Sequence, residues 1–379
     1  MSENQPREYD AVLGGGNQAP VDGVVLGGIE GVKRRLANSV ADVRAIAITQ
    51  AANYGIEGLD LIIEALNDCS GIVRGVAYKI LKRKIKKLPK TDENRRIKEK
   101  LANFDKLKIF TTLDDWIVQD FNPDIGILDT EFIAYNVNSL EEFQSLLNSH
   151  KVSEVQALSL HIESDEINTA VDILLNNYKK LSTLRALCIA ENTINGQHIK
   201  GNIDIGEVLK LYPCINLLKI KNVSNIIFSV VQHENLKTLI FNLSWLNSID
   251  VQSVNCFKTP NLEYLYYSGN GFRAYESLTN LFSNICFKKI KYLAYKGTSY
   301  CDDIAHLLIY KQIINSLIGL DFSDSGSLTD KGANTLLRCS ATYNLYYLNV
   351  NNNYLSPEMV KKLSKLKCKV IANSQYYSR

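Results

Sequence analysis

Glycines come first among the residues whose spacing could do chemistry: seven of the 21 fall within residues 14–31. There, Val24-Val-Leu-Gly-Gly-Ile-Glu-Gly31 has the outline of a strand turning into a phosphate-binding loop. A dinucleotide fingerprint needs a glycine where Leu26 stands, and helical spacing follows where a βαβ unit should begin. The segment therefore reads as an entry loop followed by a helix at 29–37, and no P-loop motif occurs elsewhere. The five histidines, His150, His161, His198, His233 and His306, lack metal-ligand spacing and read as surface or turn residues. Asp302 and Asp303 stand at a helix start, where the positive end of the dipole favours acids. A catalytic pair needs carboxylates converging across a cleft, which adjacent positions do not supply. The sequence calls for no catalytic residue, no metal and no cofactor, and the chain reads as a non-enzyme.

Charge is unevenly spread. Between Lys79 and Lys100 lie eleven basic and three acidic residues, a local +8 inside a chain whose formal total is +3. Such a run attracts phosphates, each neutralised phosphate releasing counterions. Few aromatics interleave it, however, and Pro89 divides it. The reading is a solvated helix face, a turn and a linker helix at 92–101, with electrostatic binding to nucleic acid or an anionic membrane as an alternative.

With 379 residues, 46% hydrophobic and 22% charged, the composition is that of a globular chain and excludes collagen, coiled-coil and disordered classes. No window approaches the ~18 uncharged apolar residues of a membrane helix. The first ten residues are polar. Cys69, Cys188, Cys214, Cys256, Cys286, Cys301, Cys339 and Cys368 are widely separated and form no CxxC pair. They read as reduced core thiols, and the chain as cytoplasmic.

The elements that must position any functional surface declare themselves by repetition. Eight segments share the pattern apolar-x-x-Leu-x-apolar: Val155-Leu158-Leu160, Leu184-Leu187-Ile189, Ile215-Leu218-Ile220, Leu236-Leu239-Phe241, Leu262-Leu265-Tyr267, Ile290-Leu293-Tyr295, Leu317-Leu320-Phe322 and Leu345-Leu348-Val350. Their first positions step by 29, 31, 21, 26, 28, 27 and 28 residues. The alternating end of each pattern predicts a short strand with one face buried. Helical spacing fills the intervals at 275–285, 303–314, 330–337 and 357–366, the last with Ser356 as N-cap and Pro357 at the first helical position. The 21-residue interval leaves room at 225–232 for only a turn or two of helix. Upstream, 132–136 alternates like a strand, and Ser139-Leu-Glu-Glu142 forms a capping box before another helix. Val370 and Ile371 predict a last partial strand.

One strand and one helix every 20–29 residues resembles the leucine-rich repeat, the longer units being similar to the ribonuclease-inhibitor type. That resemblance, over about residues 125–375, implies an α/β solenoid with a curved parallel sheet. It also implies an asparagine ladder, for which Asn192, Asn270 and Asn353 are placed, with Glu163, Val223, Ser244, Thr298 and Ser325 at the other equivalent positions. The first hundred residues obey another rule. Asp42-Val-Arg44 opens one apolar helical run (Ile46, Ala47, Ala51), Val73-Arg74 opens another (Val76, Ala77, Ile80, Leu81), and 59–66 lies between as a partner helix. This resembles the HEAT repeat, which implies a small all-α domain and structural roles for Arg44 and Arg74 against a neighbouring repeat's acid. The leader at 11–39 is similar to an N-terminal module of cyanobacterial repeat proteins. HEAT-like solenoids also resemble bilin lyases, which makes chromophore handling an alternative function, with Cys69 the only thiol near the motif.

The domains expected are a flexible segment at 1–20, a HEAT-like domain at 21–102, a linker at 103–124 and a leucine-rich-repeat domain with terminal caps at 125–379. In each repeat strand, the residues alternating with the core leucines face outward on the concave side. Twelve of the 20 tyrosines lie between 264 and 354. Tyrosines beside lysines suit a protein interface. The expected partner-binding residues are Lys219, Lys221, Tyr264, Tyr266, Tyr292, Lys296, Asp321 and Tyr347, and the expected function is a scaffold for a protein partner.

Overall fold

The computed structural model describes residues 28–68, 70–87, 95–101, 116–130, 132–192, 202–223, 225–227, 229–242, 248–249, 257–269, 289–297 and 299–376. The expected helix at 275–285, most of the leader, Cys69, Cys256, Cys286, His198, Ser244, Asn270 and Thr298 lie outside them. Contacts divide the chain into two units, residues 1–118 and 119–379.

The first unit is helical in its described residues: α1 (Gly28–Leu36), α2 (Ala41–Ala51), α3 (Gly55–Glu64), α4 (Gly71–Lys87) and α5 (95–101). Gly55, at φ +56°, makes the turn into α3, a conformation that costs glycine nothing. Helix α2 packs against both α1 and α4. Its buried stripe is Ala45, Ala47, Ile48 and Ala51, whereas Ile46, expected inside, is 43% exposed. In α4, Val76, Ala77, Ile80 and Leu81 are all buried.

Arg44 joins the helices to the turn before α4. Its Nε and Nη2 donate to the two carboxylate oxygens of Asp68 at 2.9 and 2.8 Å, while Nη1 donates to the carbonyls of Asn38 and Ser39. Arg74 donates to the Asp68 carbonyl at 2.6 Å. Part of the basic run is committed locally: the Lys79 ammonium lies 4.0 Å from the ring centre of Trp116, Lys82 lies over Tyr78, and Arg96 pairs with Asp60 at 2.8 Å.

The second unit is built on an eleven-stranded sheet whose strands follow one another in sequence order. They are β1 (Ile117–Asp120), β2 (Ile133–Val137), β3 (Ala157–Glu163), β4 (Ala186–Asn192), β5 (Leu217–Lys221), β6 (Thr238–Asn242), β7 (Tyr264–Ser268), β8 (Tyr292–Lys296), β9 (Gly319–Asp321), β10 (Tyr347–Asn349) and β11 (Lys369–Ile371). From β2 to β11 every pairing is parallel, and Leu158, Leu187, Leu218, Leu239, Leu265, Leu293, Leu320 and Leu348 align in one buried row. These residues share one continuous core with the helices α6 (Leu140–Asn148), α7 (Ile167–Asn176), α8 (Ile205–Leu211), α9 (Cys301–Tyr310), α10 (Asp330–Arg338) and α11 (Pro357–Leu363). This architecture, one parallel strand per repeat with interleaved helices, is a leucine-rich-repeat-like solenoid.

Local chemistry explains the helix starts. Ser139 Oγ accepts from the Glu142 amide at 3.1 Å, and the Glu142 carboxylate accepts from the amide of Asn138, one residue outside the usual box. Ser356 Oγ accepts from the Met359 amide, as its position before Pro357 predicts.

Three details differ from expectation. Strand β1 falls within the segment read as a linker; only four residues long, it carries too little alternation to be recognised. The described residues of 225–232 form no helix. Asn225–Ile227 pairs in parallel with Asn202–Asp204 and Ser248–Ile249, and Val231–Gln232 pairs with Phe257–Lys258. A 21-residue interval is too short to cross back through a helix, so extended backbone lines that stretch instead. Finally, Cys214 is exposed, whereas Cys188 and Cys301 are buried.

Two sets of polar side chains tie the repeats together. At the strand ends, Asn353 Nδ2 donates to the Phe322 carbonyl at 2.8 Å and its Oδ1 accepts from the Leu328 amide at 3.1 Å. Asn192 donates to the His161 carbonyl, and Ser325, without an amide, still donates to the Tyr295 carbonyl. Gln375 closes the series, donating to the Val350 carbonyl at 2.9 Å and accepting from the Leu355 amide at 3.2 Å. At the helix starts, Asp302 accepts from the amides of Thr329 and Gly332, and Asp330 from that of Ser356.

His233, expected at the surface or in a turn, is buried, and its ring closes the turn before β6. Its Nδ1 accepts from the Leu236 amide at 3.0 Å and its Nε2 faces the Tyr212 carbonyl at 3.2 Å, which selects the neutral tautomer protonated on Nε2. Burial lowers its pKa, against a smaller opposing effect of the Tyr212 carbonyl. Below about pH 6.5 the unfolded chain takes up a proton that the folded chain resists, so stability falls as pH drops from there. Melting profiles between pH 8 and 5 should decline below about 6.5. His233→Gln should flatten much of that decline, leaving the part due to His161; an unaltered profile would contradict this assignment.

Candidate functional site: the sheet face turned from the helices

On each strand the residues alternating with the core leucines form three rows on the opposite face. The first runs Leu217, Thr238, Tyr264, Tyr292, Gly319, Tyr347; the second Cys188, Lys219, Ile240, Tyr266, Ala294, Asp321, Asn349. The third runs His161, Ala190, Lys221, Asn242, Ser268, Lys296. Since parallel strands lie ~4.8 Å apart, Lys219 and Tyr266 stand roughly 10 Å from each other. The register thus brings all eight expected residues onto one surface.

Their exposure is unequal. Lys219, Lys221, Tyr264, Tyr266 and Lys296 are partly exposed, whereas Tyr292 (1%), Tyr347 (6%) and Asp321 (6%) are buried. Position alone predicts direction and misses what the neighbours cover. Tyr292 stacks on Tyr264 with ring centres 4.9 Å apart and planes within 4°. On its other side is Gly319, where a Cβ would collide with the Tyr292 ring, so glycine there lets the tyrosine lie flat. Asp321 accepts from the Ser323 amide at 2.8 Å and from Asn349 Nδ2 at 3.2 Å. Burial, with the Asp321 charge beside it, pushes Tyr347 up to about 12, so its phenol stays protonated.

The electrostatics change along the face. Near β3–β5, burial lowers the His161 pKa, and the cations of Lys221 and Lys219 add to the effect against the opposing pull of Asp120. Near β8–β9, Lys296 pairs with Asp324 at 2.8 Å. Burial pulls the Lys296 pKa down, but the bond to Asp324 and the charge of Asp321 outweigh it and raise it. One end of the surface is cationic and the other mixed, with a tyrosine platform between. The Lys296–Asp324 pair could not be read from sequence: Asp324 follows β9 in a left-handed turn at φ +59°, which the strand pattern does not foresee. Among the described residues no cluster of three or more histidines, cysteines or carboxylates is placed to hold a metal ion. None of the described helices is long and apolar enough to cross a membrane.

No protein-family profile matches the chain, and no curated protein matches its sequence. Among solved structures, one similar chain is a Bacteroides fragilis protein from a structural-genomics programme, at TM-score 0.53 and 19% identity, over 76% of this chain and 84% of that one. Another is an internalin of Listeria monocytogenes, at TM-score 0.31 and 14% identity, over 65% of this chain and 73% of that one. The first is a likeness of fold, and the second is too slight to carry an argument.

Proposed function

We propose that the chain is a non-enzymatic scaffold that holds a protein partner on the sheet face turned from the helices. The observation that carries this reading is the partly exposed Tyr264–Tyr266 platform, seated on rigid parallel strands and bordered by Lys219, Lys221 and Lys296. Tyrosine offers large contact area at low entropic cost, and lysines at the border suit the polar rim of an interface. Tyr292, Tyr347 and Asp321 serve this surface from beneath, the first by stacking Tyr264 in place. The complementary partner surface is acidic where it meets β3–β5 and apolar or aromatic over β7.

The helical unit is read as a HEAT-like pair, a reading supported by the Arg44 fork on Asp68 in the turn before α4. The described cysteines are free thiols, which suits a reducing compartment such as the cytoplasm.

The test is affinity capture from native cytosol, followed by titration of the captured protein against variants. Tyr266→Ala is expected to weaken binding by ~2 kcal/mol or more, and Lys219→Ala with Lys221→Ala to slow association in a salt-dependent way. Affinity unchanged across Tyr264, Tyr266, Lys219, Lys221 and Lys296 variants of intact fold would remove the site from this face.

A further inference from the structure

Beyond the C-terminal ends of β9–β11, away from the face just described, lies an open cleft of about 520 Å³ lined chiefly by Thr329, Asp330, Tyr354, Ser356, Pro357 and Tyr376. That volume is in the range of about 300–1,000 Å³ usual for small-molecule sites. The rings of Tyr354 and Tyr376 meet there at 5.6 Å and 49°, and both residues are about half exposed.

Both tyrosines are held by backbone. The Tyr354 amide donates to the Leu328 carbonyl at 3.0 Å and the Tyr376 amide to the Asn353 carbonyl at 2.6 Å. Gln375, the residue before Tyr376, is itself pinned by its side-chain bonds to Val350 and Leu355. Gly326, at φ +55°, runs close to both rings: a Cβ there would stand 3.9 Å from a ring carbon of each tyrosine. Asp330 is fixed as well: its Oδ1 accepts from the Ser356 amide at 2.8 Å, while no hydrogen bond reaches Oδ2 among the described residues. Ser356 Oγ accepts from the Met359 amide and keeps its hydroxyl proton for donation.

These groups define a ligand. Two exposed aromatic faces ask for a flat C–H surface. The Oδ2 atom of Asp330 asks for an O–H or N–H donor, and three hydroxyl groups, those of Ser356, Tyr354 and Tyr376, can donate in return. Asp330 stands in the first turn of α10, whose positive end offsets part of its charge. A polyproline stretch would supply apolar rings but no N–H for the carboxylate. A pyranose supplies both an apolar C–H face and an edge of hydroxyl groups. We propose that the cleft between Tyr354, Tyr376 and Asp330 binds a neutral carbohydrate ring, stacked on the tyrosines and hydrogen-bonded to the carboxylate.

The experiment is saturation-transfer NMR on the full chain with glucose, galactose, mannose, N-acetylglucosamine and their disaccharides, each at millimolar concentration. The expected result is transfer to ring C–H protons of at least one sugar. Tyr354→Ala and Tyr376→Ala should each weaken that binding by about tenfold while the melting temperature stays near that of the parent. Tyr376 is 50% exposed and is tied to Asn353 through its backbone amide, so truncating its side chain keeps the test clear of folding. No transfer to any sugar would overturn the proposal, as would transfer that survives both tyrosine variants. Stronger binding of tetramethylammonium or a polyproline peptide than of every sugar would overturn it too.

Discussion

Leu293→Ala is expected to destabilise the sheet unit by about 2–5 kcal/mol. Leu293 is 1% exposed and sits in the buried leucine row, paired with Leu265 on one side and Leu320 on the other. In the adjacent core row, Tyr267 and Tyr295 stack with ring centres 5.3 Å apart. Removing the isopropyl group leaves a void its neighbours cannot fill, because hydrogen bonds on both sides hold the strands at their spacing of ~4.8 Å. The cost therefore includes the cavity as well as lost transfer energy. Tyr266→Ala, one residue away in register but on the opposite face, should change stability far less. Chemical denaturation followed by far-UV circular dichroism distinguishes the two; equal midpoints would contradict the registered core.

Arg44→Ala is expected to cost the helical unit about 3–5 kcal/mol, the range for stripping one partner from a buried ion pair. The Arg44 and Asp68 side chains are only 9% and 16% exposed, so solvent screens the pair little. Truncation leaves the Asp68 carboxylate without its fork and the Asn38 and Ser39 carbonyls without their donor. Arg44→Lys should recover only part of the loss, since an ammonium cannot span both carboxylate oxygens while reaching two carbonyls. Hydrogen exchange resolved by peptide should show α2 and α4 losing protection in the variant while β3–β10 keep theirs. Protection retained across α2 would mean that the fork contributes little.

The parts of this fold legible in sequence are those that repeat. Leu158 to Leu348 could be placed in register because each leucine recurs with an apolar residue two positions on, and parallel pairing preserves that phase. Strand β1 and the short strands at 202–204, 225–227 and 248–249 lack a sustained alternation and gave no such signal. The site was legible as direction only: residue parity puts Tyr292 and Asp321 on the same face as Tyr266, but their burial depends on the neighbouring strands' side chains. Gln375 keeps the ladder spacing, five residues after Val370 as Asn353 is five after Leu348, but it was missed because it is not an asparagine and its strand carries only part of the repeat pattern. The cleft at Tyr354 and Tyr376 was missed for a related reason, since it is assembled from three separate turns after β9, β10 and β11 and no single stretch carries its pattern.

The two sets of ties between repeats point in opposite directions along the chain. Asp302 and Asp330 belong to the earlier repeat and receive amides from the later one, whereas Asn353, Ser325 and Gln375 reach back to carbonyls of the repeat before. On a ribosome, where the N-terminal part emerges first, each acid is waiting when the helix start it serves appears. The carbonyl at each strand end waits for a side chain not yet made. The growing molecule therefore always carries one frayed repeat at its advancing tip, and the turn after β10 stays frayed until Gln375 has emerged to reach the Val350 carbonyl.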